Sequence, residues 1–120
     1  MTPQNELFYP PIELLMGETT TGMLLYSTNL TSRYGKDARL ELYFDYRVFH
    51  EEIPRTIKIM CYLAPPNTDN RVFQLQRYWK VHAAVIRYDP CTTEEVGTVY
   101  FPRAMFEATP PNVCFLEIIL

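Results

Sequence analysis

The segment from Arg39 to Val48 alternates strictly between apolar and polar side chains, and no other feature constrains the fold as strongly. Successive side chains of a β-strand point to opposite faces, so a period of two puts one face in a core and leaves the other in solvent. We therefore predict an antiparallel strand with one wet side, and we expect it to nucleate the sheet. Its predicted core residues are Leu40, Leu42, Phe44, Tyr46 and Val48.

A second alternating run begins after Pro54. Proline cannot donate to a strand ladder, so its place at the start of the run is tolerated. The predicted core residues of this strand are Ile57, Ile59, Cys61 and Leu63. The spacing predicts that the two strands pair as a hairpin. Its outer face would carry a charged ladder made of Arg39, Glu41, Asp45, Arg47 and Lys58.

The segment Arg71–Asp89 contains the only tryptophan and the densest mixture of aromatic and basic side chains. A looser stripe at helical spacing leaves a helix open, but β-favouring residues and turn-forming flanks favour a strand. Such a strand exceeds the usual ~5–6 residues, so we expect it to bend or split near Lys80. Counting in twos places Phe73, Leu75, Arg77, Trp79, Val81, Ala83 and Val85 on one face, and Gln74, Gln76, Tyr78, Lys80 and His82 on the other.

The remaining segments complete a β-rich pattern. We predict strands at 23–27, 96–101 and 113–120, a helical turn within 102–107, and, in residues 1–18, either a short helix around Ile12, Leu15 and Met16 or an extended arm that docks on another subunit. No internal repeat of roughly 20–50 residues is evident. The expected fold is all-β or β-rich α+β: one domain, 1–120, forming an antiparallel sandwich or partly open barrel of about six or seven strands with one or two short helical turns.

Composition limits the cellular location and the classes of partner that we expect. A formal charge of −3 over 120 residues argues against a protein that coats duplex DNA or an acidic membrane. The amino terminus lacks the pattern of a signal peptide, and no apolar run reaches the ~18–20 residues of a transmembrane segment. We therefore expect an intracellular protein, cytoplasmic or nuclear, with reduced thiols. Cys61 and Cys114 are predicted to be buried, and Cys91 to be accessible.

Motifs for catalysis and for metal binding are missing. The cysteines form no C-x-x-C pair, and the sequence contains neither a Gly-x-Ser-x-Gly elbow nor a glycine-rich phosphate loop. His50-Glu51-Glu52 lacks metal-binding spacing and reads as a solvated turn, and His82 reads as an exposed strand histidine. We therefore predict no enzymatic activity, no cofactor and no metal.

The apolar ends of the chain exceed what six short strands need for one core. They either contact a protein partner or a second copy, or cover the open sides of their own barrel. The predicted function is non-enzymatic protein–protein interaction or self-assembly as a homo-oligomer, for instance in a matrix-like structural or accessory protein of viral origin. Single-stranded nucleic-acid binding is a less favoured alternative, because the strand model splits the aromatic and basic side chains between two faces. A barrel that binds a hydrophobic ligand is a second alternative. The candidate interaction surface comprises Phe8, Tyr9, Ile12, Tyr78, Lys80, His82, Tyr88, Phe115 and Ile119.

Overall fold

A computed structural model of the chain describes residues 6–8, 10–17, 23–36, 38–45, 49, 52–80, 84–91, 96–106 and 109–120. Its eight strands are β1 (Ile12–Met16), β2 (Met23–Asn29), β3 (Arg39–Asp45), β4 (Thr56–Tyr62), β5 (Arg71–Arg77), β6 (Val85–Pro90), β7 (Val96–Pro102) and β8 (Val113–Ile119). A helical turn, α1 (Thr31–Tyr34), follows β2, and a 3-10 helix (Arg103–Met105) follows β7. Every strand pairs antiparallel on both sides in the order β1-β2-β3-β7-β6-β5-β8-β4, and β4 returns to β1, so the sheet is a closed barrel.

The barrel consists of two successive Greek keys. In the first half the spatial order is β4-β1-β2-β3, and in the second half it is β8-β5-β6-β7, which is the same arrangement. The halves are joined where β3 pairs with β7 and β4 pairs with β8. Each half therefore has a topologically equivalent counterpart, and equivalent positions lie towards opposite ends of the barrel because the strands of the two junctions run antiparallel.

The equivalence extends to individual core residues. Each half contains a cluster of three aromatic rings in mutual contact: Tyr26, Phe44 and Phe49 in the first, and Tyr88, Phe101 and Phe106 in the second. The ring centroids of Tyr26 and Phe44 are 5.6 Å apart at an interplanar angle of 80°, and those of Tyr88 and Phe101 are 5.6 Å apart at 84°. Equivalent residues such as Tyr26 and Tyr88 lie 62 positions apart, beyond the period of roughly 20–50 residues that is typical of repeat proteins.

The predicted alternation of β3 and β4 is confirmed for most positions. Leu40, Leu42 and Phe44 are fully buried, whereas Tyr46 and Val48 lie outside the described residues. On β4, the inward-facing residues are Ile57, Ile59 and Cys61, all buried as expected. Leu63 is exposed instead, because β4 ends one residue earlier, at Tyr62.

The predicted hairpin between these two strands is wrong. β3 pairs with β2 and β7, whereas β4 pairs with β1 and β8. The connection between β3 and β4 carries the chain past two strands, and alternation specifies faces rather than partners. The charged ladder is consequently absent from the described residues: Arg39 approaches its own strand neighbour Glu41 at 3.9 Å, and Lys58 lies opposite Glu13 on β1.

The expected all-β architecture is confirmed, and the barrel is closed with eight strands rather than partly open with six or seven. The additional strand is β1, where a short helix was one of the two expectations. Ile12 and Leu14 of β1 face the core while Glu13 and Leu15 face outward. Pairing of β1 with both β2 and β4 closes the barrel, and these ladder bonds favour the extended conformation over a marginal two-turn helix.

The described residues of the segment Arg71–Asp89 form two strands, the antiparallel pair β5 and β6, which separate near Lys80 as predicted. Phe73 and Leu75 face the core as expected. In β6 the predicted phase is wrong, because Tyr88 is fully buried while Val85 is only half-buried. The turn between the two strands interrupts the count of two, so the faces exchange.

The carboxyl-terminal segment forms β8 between β5 and β4, so this end is bound into the sheet as predicted. Cys61 and Cys114 are buried and Cys91 is exposed, which confirms all three expectations. Burial raises the pKa of the Cys61 thiol, and its contact with Cys114 raises it further. In the described part of the chain, no helix has the length and apolarity needed to cross a membrane.

Candidate functional site

An open cleft of about 470 Å³ lies at the end of the barrel where β5 stops and β6 starts. Its lining includes the cationic side chains of Arg77, Lys80, Arg87 and Arg103 and the aromatic side chains of Tyr78, Trp79 and Phe106. No carboxylate lines the cleft among the described residues. The cleft is therefore a local concentration of positive charge and aromatic surface on a chain whose formal net charge is −3.

The end of β5 explains why these side chains converge. Tyr78 still donates its backbone N–H to the Arg87 carbonyl at 2.8 Å, which is the last bond between the two strands at this end. Trp79 and Lys80 then leave the sheet, and the Trp79 side chain is 78% exposed. A tryptophan side chain left this exposed forgoes its burial energy, and Tyr and Trp are enriched at the surfaces where proteins contact partners.

The aromatic and cationic groups contact one another directly. The ring centroids of Tyr78 and Trp79 are 5.7 Å apart, with an interplanar angle of 46°. The Arg87 guanidinium lies 4.3 Å above the Tyr78 ring, and the Lys80 ammonium lies 6.0 Å from the Trp79 ring. The Arg87 cation restricts one face of Tyr78, and the tilted pair of rings leaves indole surface open to a planar ligand.

Arg87 is held in a fixed orientation. Its Nε donates to Asp89 Oδ1 at 3.0 Å, and Thr98 Oγ1 donates to the same oxygen at 3.2 Å. The hydrogen bond that Arg87 donates to Asp89 is the main reason that the pKa of Arg87 is raised above its usual value. The nearby carboxylate also balances the Arg87 charge, so this residue contributes more to the shape of the cleft than to its field.

Arg77 is held by neutral acceptors instead. Nη1 donates to the Pro110 carbonyl at 3.0 Å, and Nη2 donates to Asn112 Oδ1 at 2.9 Å. The Arg77 backbone N–H also bonds to the Asn112 carbonyl at 2.8 Å. Neither acceptor carries a formal charge, so neither offsets the positive charge of Arg77 at the cleft wall.

The wall opposite the basic groups rests on the barrel core. Phe106 contacts both Tyr88 and Phe101, and Tyr88 donates its hydroxyl hydrogen to the Pro111 carbonyl at 2.6 Å. Burial raises the pKa of Tyr88, so the hydroxyl stays protonated and keeps this bond at physiological pH. The segment Thr109–Asn112 is thereby tied to the core at one side and to Arg77 at the other.

The predicted interaction residues occupy three different environments. Tyr78 and Lys80 line the cleft, and Phe115 and Ile119 are half-buried on the outer face of β8. Phe8, Ile12 and Tyr88 are buried in the core, so their expected exposure is wrong: the first two are covered by the closure of the barrel and the third by the exchange of faces in β6. Tyr9 and His82 lie outside the described residues.

Trp79, Arg77 and Arg87 line the cleft but are not in the predicted interaction surface, because the strand count places them on the opposite face from Tyr78 and Lys80. An uninterrupted strand separates them from Tyr78 and Lys80, whereas the turn after Tyr78 brings all five side chains to one end of the barrel. The signal that could have located them is the predicted break itself, since a strand that ends before Trp79 releases that residue from the core face.

A buried carboxylate elsewhere on the barrel has a structural role. Glu117 accepts hydrogen bonds from Tyr62 Oη at 2.6 Å, Thr68 Oγ1 at 2.7 Å and Asn70 Nδ2 at 2.9 Å, and these bonds attach the loop between β4 and β5 to the barrel. Burial by itself raises the pKa of Glu117, but the three donors outweigh burial and lower it. These three hydrogen bonds give the Glu117 carboxylate a structural role, so the cluster needs no ligand to explain it.

Among the described residues, no group of three or more His, Cys, Asp or Glu side chains is arranged to hold a metal ion. No protein-family model matches the sequence, and no curated protein matches it at a significant level. Function therefore has to be inferred from the chemistry of the cleft.

Proposed function

We propose that the protein binds single-stranded nucleic acid in the cleft at the Tyr78–Trp79 end of the barrel. The observation that carries this proposal is the exposed Trp79 beside Tyr78, surrounded by arginine and lysine side chains. Unpaired bases stack on exposed aromatic rings, at about 1–3 kcal/mol per base, and neighbouring cations bind the phosphates between them. Duplex bases are already stacked on each other, so a duplex is not expected to use the Trp79 surface.

The size of the cleft supports a short contact. A volume of about 470 Å³ accommodates one or two nucleotides rather than a long strand. Arg87 is balanced by Asp89, whereas Arg77, Lys80 and Arg103 line the cleft and are the cations that we propose for phosphate contacts. Two or three such contacts imply a modest dissociation constant, on the order of 10–100 µM at low salt.

Tryptophan fluorescence provides a direct test, because Trp79 is the only tryptophan in the chain. Titration with a single-stranded octanucleotide at low salt should quench or shift its emission, and a duplex of the same sequence should have a weaker effect. Trp79→Phe serves as the control for binding measured by anisotropy, since phenylalanine retains a stacking surface. An emission spectrum that stays unchanged up to about 1 mM oligonucleotide, far above the expected dissociation constant, would refute the proposal.

Self-association is a second candidate, and a separate observation favours it. Four exposed apolar side chains lie towards the end of the barrel opposite the cleft: Leu15, Met16, Ile53 and Leu120. Exposed apolar patches on small domains are commonly covered by another subunit, here a second copy of the chain. Light scattering at about 100 µM tests this candidate, and a strict monomer at that concentration removes it. Leu15→Glu should dissociate an oligomer without affecting the cleft.

An apolar ligand inside the barrel has no comparable support. Tyr26, Tyr88, Phe44 and Phe101 are fully or almost fully buried and pack inside the barrel, as small eight-stranded barrels generally require. Native mass spectrometry of gently prepared protein would reveal such a ligand.

A further inference from the structure

Some positions make the same backbone hydrogen bonds in the two halves of the barrel but carry different side chains. Met16 donates its N–H to the Arg55 carbonyl at 2.8 Å, and its counterpart Arg77 donates to the Asn112 carbonyl at 2.8 Å. The next pair matches as well, since the N–H of Gly17 bonds to the Leu25 carbonyl at 2.7 Å and that of Tyr78 to the Arg87 carbonyl at 2.8 Å. Arg77 therefore corresponds to Met16, and Arg87 to Leu25.

The equivalent positions of the two halves show which residue types the fold requires there. The first half forms the same end of a strand pair with methionine and leucine, so the barrel architecture does not require arginine at either position. Replacing an apolar residue by arginine at a barrel end gains little stability, because exposed charges contribute little. The barrel architecture therefore does not account for either arginine, and each needs a reason of its own.

Of the two arginines, Arg77 is suited to bind an anion. Arg87 already pairs with Asp89 at 3.0 Å, and this carboxylate offsets its attraction for a phosphate. Arg77 forms no ion pair with any described carboxylate, and its two side-chain partners at Pro110 and Asn112 are neutral. A guanidinium has five N–H donors, so three remain after these two bonds.

The backbone around the Arg77 partners keeps the guanidinium in place. Pro110 and Pro111 have restricted φ angles, and the Pro111 carbonyl is bonded to the buried Tyr88 hydroxyl at 2.6 Å. The acceptors that orient Arg77 thus belong to a segment fixed to the core. An orientation held before binding reduces the entropy lost when a phosphate is bound.

We propose that Arg77 is the phosphate anchor of the cleft, and that Pro110 and Asn112 position its guanidinium to donate to the non-bridging oxygens of a phosphodiester next to a base stacked on Trp79. This inference rests on the proposed function, since it names the part of the nucleic acid that this residue recognises. Arg87 instead supports the Tyr78 ring.

The repeat supplies the test variants. Arg77→Met installs the residue found at the equivalent position of the first half, and Arg77→Lys keeps the charge but loses the planar fork. Met16→Arg is the matched control, because it places the same charge at the equivalent position of the opposite barrel end. Binding is measured by anisotropy with an octathymidylate and with its neutral methylphosphonate analogue, and thermal unfolding confirms that each variant folds.

We expect Arg77→Met to weaken binding of the phosphodiester octamer about tenfold. The slope of log K against log salt concentration should become about 0.7 less negative, because one phosphate contact is lost. Arg77→Lys should restore the slope but not the full affinity. The affinity for the methylphosphonate octamer should be the same in wild type and Arg77→Met. Met16→Arg should not raise the affinity for either octamer by a factor near ten.

Equal loss of affinity for both octamers, or no loss for either, overturns the anchor. If Trp79→Ala weakens binding in that case, the proposed function survives without the anchor. If wild type binds no oligonucleotide, the proposed function falls and the anchor is judged by inorganic pyrophosphate: a shift of the Arg77 Nε–H resonance on titration retains an anion site, and an unchanged resonance removes it. Should Arg77→Met fail to fold, Arg77→Lys and Arg77→Gln carry the same comparison.

Discussion

Tyr26 and Tyr88 occupy equivalent positions in the two Greek keys and make the same hydrogen bond. Tyr26 donates its hydroxyl hydrogen to the Pro54 carbonyl at 2.5 Å, and Tyr88 donates to the Pro111 carbonyl at 2.6 Å. In both halves the acceptor proline lies two residues before the last strand of the key, β4 or β8. Each tyrosine thus fastens the long connection of its own key to the barrel core.

Removing either hydroxyl should destabilise the barrel. Tyr26→Phe and Tyr88→Phe each leave a proline carbonyl without its donor, at a cost of about 1–2 kcal/mol in the free energy of unfolding, measured by urea denaturation. Tyr88→Phe should also weaken oligonucleotide binding, because Pro111 belongs to the segment that positions Arg77, whereas Tyr26→Phe should not. Identical binding defects in the two variants would contradict this division between the barrel ends.

Glu117 should make stability depend on acidic pH. Its pKa is lowered in the folded protein, so its stabilising effect is complete above the unfolded value of about 4.5 and is lost as the pH falls through the folded value. Glu117→Gln keeps the shape and removes the charge, and it should cost about 1–2 kcal/mol at pH 7. The gap between the variant and wild type should narrow towards pH 3. A gap that is constant from pH 7 to pH 3 would show that the charge of Glu117 is unimportant.

Trp79→Ala should separate binding from stability. The side chain is 78% exposed, so we expect the free energy of unfolding to change by no more than about 0.5 kcal/mol. Loss of one stacked base should weaken oligonucleotide binding by about 5- to 100-fold. Trp79→Phe should retain most of the affinity. A large fall in the melting temperature of Trp79→Ala would instead indicate that the indole packs on the barrel.

Lys80→Ala should change the salt dependence of binding. Two or three phosphate contacts predict that log K falls with log salt concentration at a slope of about −1.4 to −2.1, and the loss of one contact reduces the magnitude by about 0.7. Lys58→Ala, on the outer face of β4 away from the cleft, is the control and should leave the slope unchanged. Equal slopes for wild type and Lys80→Ala would exclude a phosphate contact by this lysine.

Gly97→Ala should destabilise the junction between the two halves. A Cβ at Gly97 would lie 2.6 Å from Met23 Cε, 3.2 Å from Tyr43 Cβ and 3.3 Å from the Tyr43 carbonyl oxygen. The methionine end can move, but Tyr43 is held in the sheet opposite Leu25 of β2, so we expect a cost of about 1–3 kcal/mol. Gly17→Ala is the control, since its nearest contact would be 3.7 Å. Denaturation midpoints of the two variants provide the comparison.

Local patterns predicted several strands because the alternation of apolar and polar residues indicates which side chains face the core. Leu40, Leu42 and Phe44 are buried as their spacing requires, and the split near Lys80 follows from the length of the segment. The same patterns misplaced Tyr88 and Trp79, because a count in twos carried through a turn assigns every later residue to the opposite face. The break near Lys80 was predicted, but the count was carried across it, and this hid most of the cleft.

The amino-acid sequence by itself determined that this chain forms an antiparallel β structure, most of the residues that β3 and β4 bury, and which cysteines are enclosed, since alternation acts through the local geometry of the strand. Only the tertiary structure decided that β3 pairs with β7 rather than β4, that β1 closes the barrel, and that Arg77, Trp79 and Arg87 meet in one cleft. Strand partners are chosen by hydrogen bonds between segments far apart along the chain, and a period of two carries no information about those partners.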